Sequence, residues 1–153
     1  MFRALLTVAM NRSRWDVHSR KCIGRFSNDD GTITSSLAIS GGYMAVGAES
    51  GVVNLYRNSE RAQTKPIKSA MNLRTAVDGL QFSHDGQILA MSSRFSDNGL
   101  KLMHMPSKTV FSNWPTSKTP LKYVFSTDFS PKSKYFAIGN DKGKCLLYRL
   151  NTK

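Results

Sequence analysis

Three stretches of this chain repeat one pattern, and that repetition limits its possible folds more than any other feature. Leu37–Gly47 is followed by Glu49–Tyr56, Leu80–Met91 by Asp97–His104, and Thr127–Gly139 by Asp141–Tyr148. The alanines Ala45, Ala90 and Ala137 align at spacings of 45 and 47, and Gly51, Gly99 and Gly143 at 48 and 44. A period of this size means that one supersecondary unit is stacked several times. Short apolar runs such as Ile88-Leu89-Ala90-Met91 suit strands covered on both faces. Ser83-His84-Asp85-Gly86 and Ser130-Pro131-Lys132-Ser133 carry turn chemistry between two strands. Glu49-Ser50-Gly51, Asp97-Asn98-Gly99 and Asp141-Lys142-Gly143 predict a second hairpin, in which an acid bonds the turn amides and glycine takes φ > 0. A fourth, outer strand is expected at Lys65–Met71 and again at Thr109–Trp114. Pro66 suits such an edge position.

A partial unit comes first. Arg14–Phe26 contains Trp15-Asp16, the dipeptide that ends the third strand of a WD blade, followed by an outer strand. Trp15 aligns with Tyr56, His104 and Tyr148, so one aromatic-like position recurs four times. Period and pattern together identify the chain as a member of the WD-repeat family. The expected fold class is all-β, with about three WD-type β-propeller blades plus part of a fourth in an incomplete ring. No Gly-His pair precedes a blade, so the buried Trp–Ser–His–Asp hydrogen-bond chain of a full WD blade cannot form.

A narrower resemblance rests on Trp15-Asp16-Val17, Ser19-Arg20-Lys21-Cys22, Gly51–Tyr56, Lys65-Pro66-Ile67-Lys68 and Met71-Asn72-Leu73. Val110–Pro115, Asp128-Phe129-Ser130-Pro131 and Tyr135–Asn140 add to it. From about residue 14 to 150 the chain resembles the C-terminal blades of the U-three small-nucleolar-RNA-associated protein eighteen family. The resemblance implies a nucleolar scaffold in the UTP-B module of the small-subunit processome, a ribonucleoprotein that acts in ribosome biogenesis and 18S ribosomal RNA processing. Its partners would be other ribosome-assembly proteins, with pre-ribosomal or small nucleolar RNA as further candidates. One departure stands out: the third strand before Trp15 reads Asn11-Arg12-Ser13-Arg14, where apolar residues should alternate.

Residues 1–13 are expected to be an irregular start, a product of truncation inside a longer protein, and 14–153 to be the blades. Ala4–Met10 is too short for a membrane helix and lacks a cleavage site for a signal peptide. Three units and a fragment cannot close a ring, which usually takes about four to eight blades. An open blade face of roughly 500 Å² at about 25 cal/mol per Å² forfeits about 12 kcal/mol. That rivals the whole stability of a domain, about 5 to 15 kcal/mol, so the chain alone is expected to aggregate or to fold only with a partner.

Charge narrows the partners. Twenty-two Lys and Arg face ten Asp and Glu, a formal net charge of +12, and such a field favours polyanions such as RNA. The candidate RNA or protein contacts are Arg20 and Lys21 at the start of an outer strand, Lys118 and Lys122 around Pro120, and Lys132 and Lys134 beside the Ser-Pro turn. Any RNA contact there would be to phosphates, without sequence readout. Cys22 and Cys145 form no disulfide framework and read as buried free thiols. The three histidines stand apart from any acid or cysteine at metal-ligand spacing, and Asp78, Asp85, Asp97, Asp128 and Asp141 sit at turn positions. The reading is therefore not an enzyme, with no cofactor, metal, membrane or small-molecule substrate. Three functions compete: a protein–protein scaffold, a non-specific RNA binder using basic loops, and a generic WD adaptor gripping peptides in the central channel.

Overall fold

The computed structural model describes residues 3–8, 11–27, 32–59 and 65–151. These residues form only strands, turns and connections, arranged in four antiparallel sheets. The first contains β1 (Arg3–Val8), β2 (Asn11–Asp16) and β3 (Lys21–Ser27); the second β4 (Thr34–Ser40), β5 (Tyr43–Ala48), β6 (Val53–Arg57) and β7 (Lys68–Ala70). The third contains β8 (Gly79–Phe82), β9 (Ile88–Ser92), β10 (Leu100–His104) and β11 (Thr109–Val110). The fourth contains β12 (Val124–Phe129), β13 (Tyr135–Asn140) and β14 (Cys145–Arg149). Strand order follows sequence order in every sheet. None closes into a barrel, so the architecture is a set of propeller blades in an incomplete ring.

The stretch expected to be irregular instead carries β1, which pairs with β2 from Arg3↔Asp16 to Val8↔Asn11. The outer strands are shorter than expected. β7 keeps three residues and β11 two, with the Phe111 amide adding one more bond to the Leu102 carbonyl at 2.9 Å.

Turn chemistry sets the hairpins. Ser83 Oγ accepts the Ile88 amide at 3.0 Å, and Ser130 Oγ accepts the Lys134 and Tyr135 amides at 3.1 and 3.0 Å. In the other hairpins the left-handed residue is Gly51 (φ 89°) or Gly143 (φ 70°), but in the third sheet it is Asn98 (φ 52°), not Gly99. Gly99 is needed for another reason: a Cβ there would collide with the Ser93 carbonyl. The capping oxygen of the last hairpin belongs to Asn140, which accepts the Lys142 and Lys144 amides at 3.1 and 3.0 Å. Asp141, the expected cap, instead accepts the Tyr123 amide at 3.3 Å.

Apolar side chains fill the spaces between blades. Val53, Leu55 and Val77 of the second sheet and its exit loop meet Leu89, Met91 and Met103 of the third. Leu100 and Leu102 meet Phe129, Phe136 and Ile138 of the fourth. The pairs Met44↔Tyr56, Leu89↔Met103 and Phe136↔Tyr148 are therefore equivalent. The recurring aromatic-like position in the third sheet is thus Met103, and His104 matches Arg57 and Arg149.

The polar third strand has a structural account. In β2, Arg12 is fully buried with its guanidinium 4.3 Å above the Tyr56 ring, so it carries the packing between the first two sheets. Arg14 donates to the Ser59 carbonyl at 2.6 Å and to Asn58 Oδ1 at 2.9 Å, and lies 5.5 Å from the Phe26 ring. Guanidinium stacking does here what aliphatic contact does between the later blades.

Candidate nucleic-acid interface

The hairpins of all four sheets share two ends. At one end lie the β2–β3, β4–β5, β8–β9, β10–β11 and β12–β13 turns and the segment after β6. Contacts between sheets hold these turns together. Arg14 reaches Asn58 and Ser59, Lys108 Nζ sits 5.6 Å over the Tyr43 ring, and the Asp85 amide donates to Ser133 Oγ at 3.1 Å. At the opposite end the Val77 amide donates to the Ala48 carbonyl at 3.1 Å and the Asn98 amide to the Lys122 carbonyl at 2.9 Å.

The six candidate residues divide between these ends. Arg20, in the β2–β3 turn with φ 54°, Lys21, Lys132 and Lys134 are all exposed at the first end. Lys118 and Lys122 lie in the β11–β12 connection, where the Lys122 amide donates to Asn98 Oδ1 at 3.2 Å. They belong with the opposite end.

The first end also carries Arg57, Lys65 and Arg149, all exposed, and half-buried Lys108, none of them among the six candidates. Arg57 and Arg149 each end a third strand directly after the aligned Tyr56 and Tyr148, so the repeat itself carries their signal. Among the described residues, eight Lys or Arg at this end face two acids, Asp16 and Asp85. Both acids are held in their turns. Asp16 Oδ2 accepts from the Ser19 hydroxyl at 2.6 Å and from the Ser19 amide at 3.2 Å, and these bonds lower its pKa below the ordinary carboxylate value. Burial pushes Asp85 up, but bonds from the Ser83 hydroxyl and the Gln87 amide outweigh it and leave the group below its usual value.

The opposite end is mixed: Arg74, Arg94, Lys118, Lys122, Lys142 and Lys144 stand beside Glu49, Asp78, Asp97 and Asp141. The ion pairs Arg94–Asp78 and Lys142–Asp141 both lie there. Asp78 and Asp128 do not cap hairpins. Asp78 pairs with Arg94, and Asp128 accepts from Gln81 Nε2 at 2.8 Å across the inner strands of adjacent blades.

Two cavities adjoin these surfaces. One, of about 620 Å³, opens at the basic end between the third and fourth sheets, lined by His104, Phe111, Asn113, Trp114, Tyr148 and Arg149 among others. The Trp114 and Tyr148 rings meet edge to face with centroids 5.0 Å apart. The other, of about 570 Å³, runs along β4, β8 and β12. There Arg94 lies 5.4 Å over the Phe125 ring.

Among the described residues no three His, Cys, Asp or Glu side chains come together as metal ligands. His104 Nδ1 is within 2.7 Å of Ser107 Oγ. Cys22 is half-buried, but Cys145, expected to be buried, is exposed on β14.

No protein-family model matches the chain. Individual relatives do. The chain is 46% identical over 143 residues to the U3 small nucleolar RNA-associated protein 18 homolog of Mus musculus, a match that covers 90% of this chain and 26% of that protein. The homolog of Homo sapiens gives the same figures. U3 small nucleolar RNA-associated protein 18 of Saccharomyces cerevisiae is 51% identical over 112 residues, 71% of this chain and 19% of its own length. The chain therefore spans about a quarter of the length of the relatives it matches. The fold is shared with the computationally designed Ika4 protein, at a TM-score of 0.75 with 12% identity over 97% of this chain and 86% of that one. A chain of the mitotic checkpoint complex gives a TM-score of 0.74 with 15% identity, over 97% of this chain and 45% of that one.

Proposed function

From a set of WD-type blades homologous over nine tenths of its length to proteins named U3 small nucleolar RNA-associated protein 18, we infer that this chain is a non-catalytic module of the nucleolar small-subunit processome. In this reading the four sheets from Arg3 to Arg149 form the blade unit, which holds other ribosome-assembly proteins in place during maturation of the 18S ribosomal RNA. The carrying observation is the 46% identity with the mouse and human relatives across the blades. Asp85 ties a turn, Asp78 and Asp128 tie neighbouring segments, and His104 bonds Ser107.

Affinity purification of the tagged chain from cells tests this reading. U3 small nucleolar RNA and processome proteins should be enriched over an unrelated nuclear RNA of similar abundance. Recovery of neither would overturn it.

A further inference from the structure

We propose that the basic end of the blades binds single-stranded RNA directly, with phosphates on Lys108, Lys132, Lys134 and Arg149 and one unstacked base in the Trp114–Tyr148 groove. The proposal rests on the ribonucleoprotein reading only for where the RNA is met.

Charge segregation is the first support. Among the described residues, eight basic side chains from all four sheets crowd one end with two acids, while the opposite end sets six against four and holds the Arg94–Asp78 and Lys142–Asp141 ion pairs. Simple solubility needs no such division, but a strand of phosphates crossing several blades does. The two acids at this end stay ionised, held in their own turns by the Ser19 and Ser83 hydroxyls, and they offset only part of the surrounding positive charge.

The groove is the second support and argues for a base rather than an acidic peptide. Arg149 stands on its rim at the basic end, and Trp114, Tyr148, His104 and Phe111 supply aromatic surface. Asn113 and Gln87 add amide groups able to bond a base edge. Cationic residues beside aromatic faces are the arrangement by which unstacked bases are held. Lys108, over the Tyr43 ring, and the Lys132 and Lys134 turn continue the positive track toward the middle blades.

The test uses the full 153-residue chain and a labelled single-stranded RNA of mixed sequence, read by fluorescence anisotropy across a salt series. The variant Lys132→Ala/Lys134→Ala/Arg149→Ala should weaken binding about tenfold or more and reduce the slope of log affinity against log salt by about two. The opposite-end variant Arg74→Ala/Lys142→Ala/Lys144→Ala should stay within about twofold, with little change in slope. A Trp15→Phe chain leaves Trp114 as its single tryptophan, and its emission should be quenched along the same RNA titration. Equal losses from the two triple variants would sink the proposal, as would an unquenched Trp114. Equally tight, equally salt-dependent binding of polyglutamate would replace the RNA with an acidic protein partner. None of these outcomes bears on co-purification with the processome, so the two readings fail separately.

Discussion

Arg12 shows how one side chain can decide whether two blades stay together. Arg12 has no solvent exposure, and its guanidinium carbon sits 4.3 Å over the ring of Tyr56, itself fully buried. The planar cation covers the ring face at an interblade site that Val53 and Leu55 occupy one blade later. Arg12→Ala should lower stability by about 2–4 kcal/mol, because it removes both the stack and the volume beneath it. Arg12→Lys should recover little, since an ammonium presents no plane to the ring. Denaturant melts of the three chains check this. Full recovery in the lysine variant would reduce the role of Arg12 to charge alone. From the sequence, Asn11-Arg12-Ser13-Arg14 looked like a damaged strand. Nothing in the strand itself indicates that Tyr56, more than forty residues on, supplies the ring that makes an arginine fit there.

At the level of elements, the turns determined what was legible. The repeat, the four sheets and the order of strands follow from apolar runs and turn residues, and these were readable. The register of the third sheet was not, because its β9–β10 connection is longer than its counterparts. Gly51 and Gly143 stand two residues before β6 and β14, whereas Gly99 directly precedes β10 and Asn98 takes the left-handed position. Aligning on the glycines moved this strand by one residue and put His104 where Met103 belongs. The β8–β9 turn makes a prediction of its own. Asp85 has a lowered pKa, so its ionised form adds stability above the unfolded value near 3.8, and that stability is lost as pH falls through the folded pKa. Asp85→Asn should cost on the order of 0.5–1 kcal/mol at pH 7, a modest amount because solvent screens an exposed carboxylate. The cost should shrink below about pH 3.8. Paired thermal melts at neutral and acid pH measure it, and a pH-independent difference would rule out the charged bonds as its source.

For the whole molecule, what matters is that blades are built to be covered on both faces, and the first and last sheets each show one face without a neighbour among the described residues. Leu147 is 64% and Tyr135 44% exposed on the fourth sheet, while Leu146 and Tyr148 of the same strand pack inward. On the first sheet Trp15 is 37% and Ile23 49% exposed, opposite the face that Arg12 and Arg14 bury. The outer edge of β14 has no strand partner among the described residues, and an edge of that kind offers backbone groups for pairing. Apolar faces of this kind, next to an open edge, drive association. The chain in isolation should therefore show a weight-average mass that rises with protein concentration in sedimentation equilibrium. Leu147→Lys should lower that mass several-fold by placing a charge in the exposed face, whereas a lysine at already exposed Met71, on neither end sheet, should leave it unchanged. A monomer at every concentration up to the solubility limit would show that the two uncovered faces do not govern its behaviour in solution. In that case the interblade contacts of Arg12, Val53, Leu55, Leu100 and Leu102 would hold the chain together without a second copy.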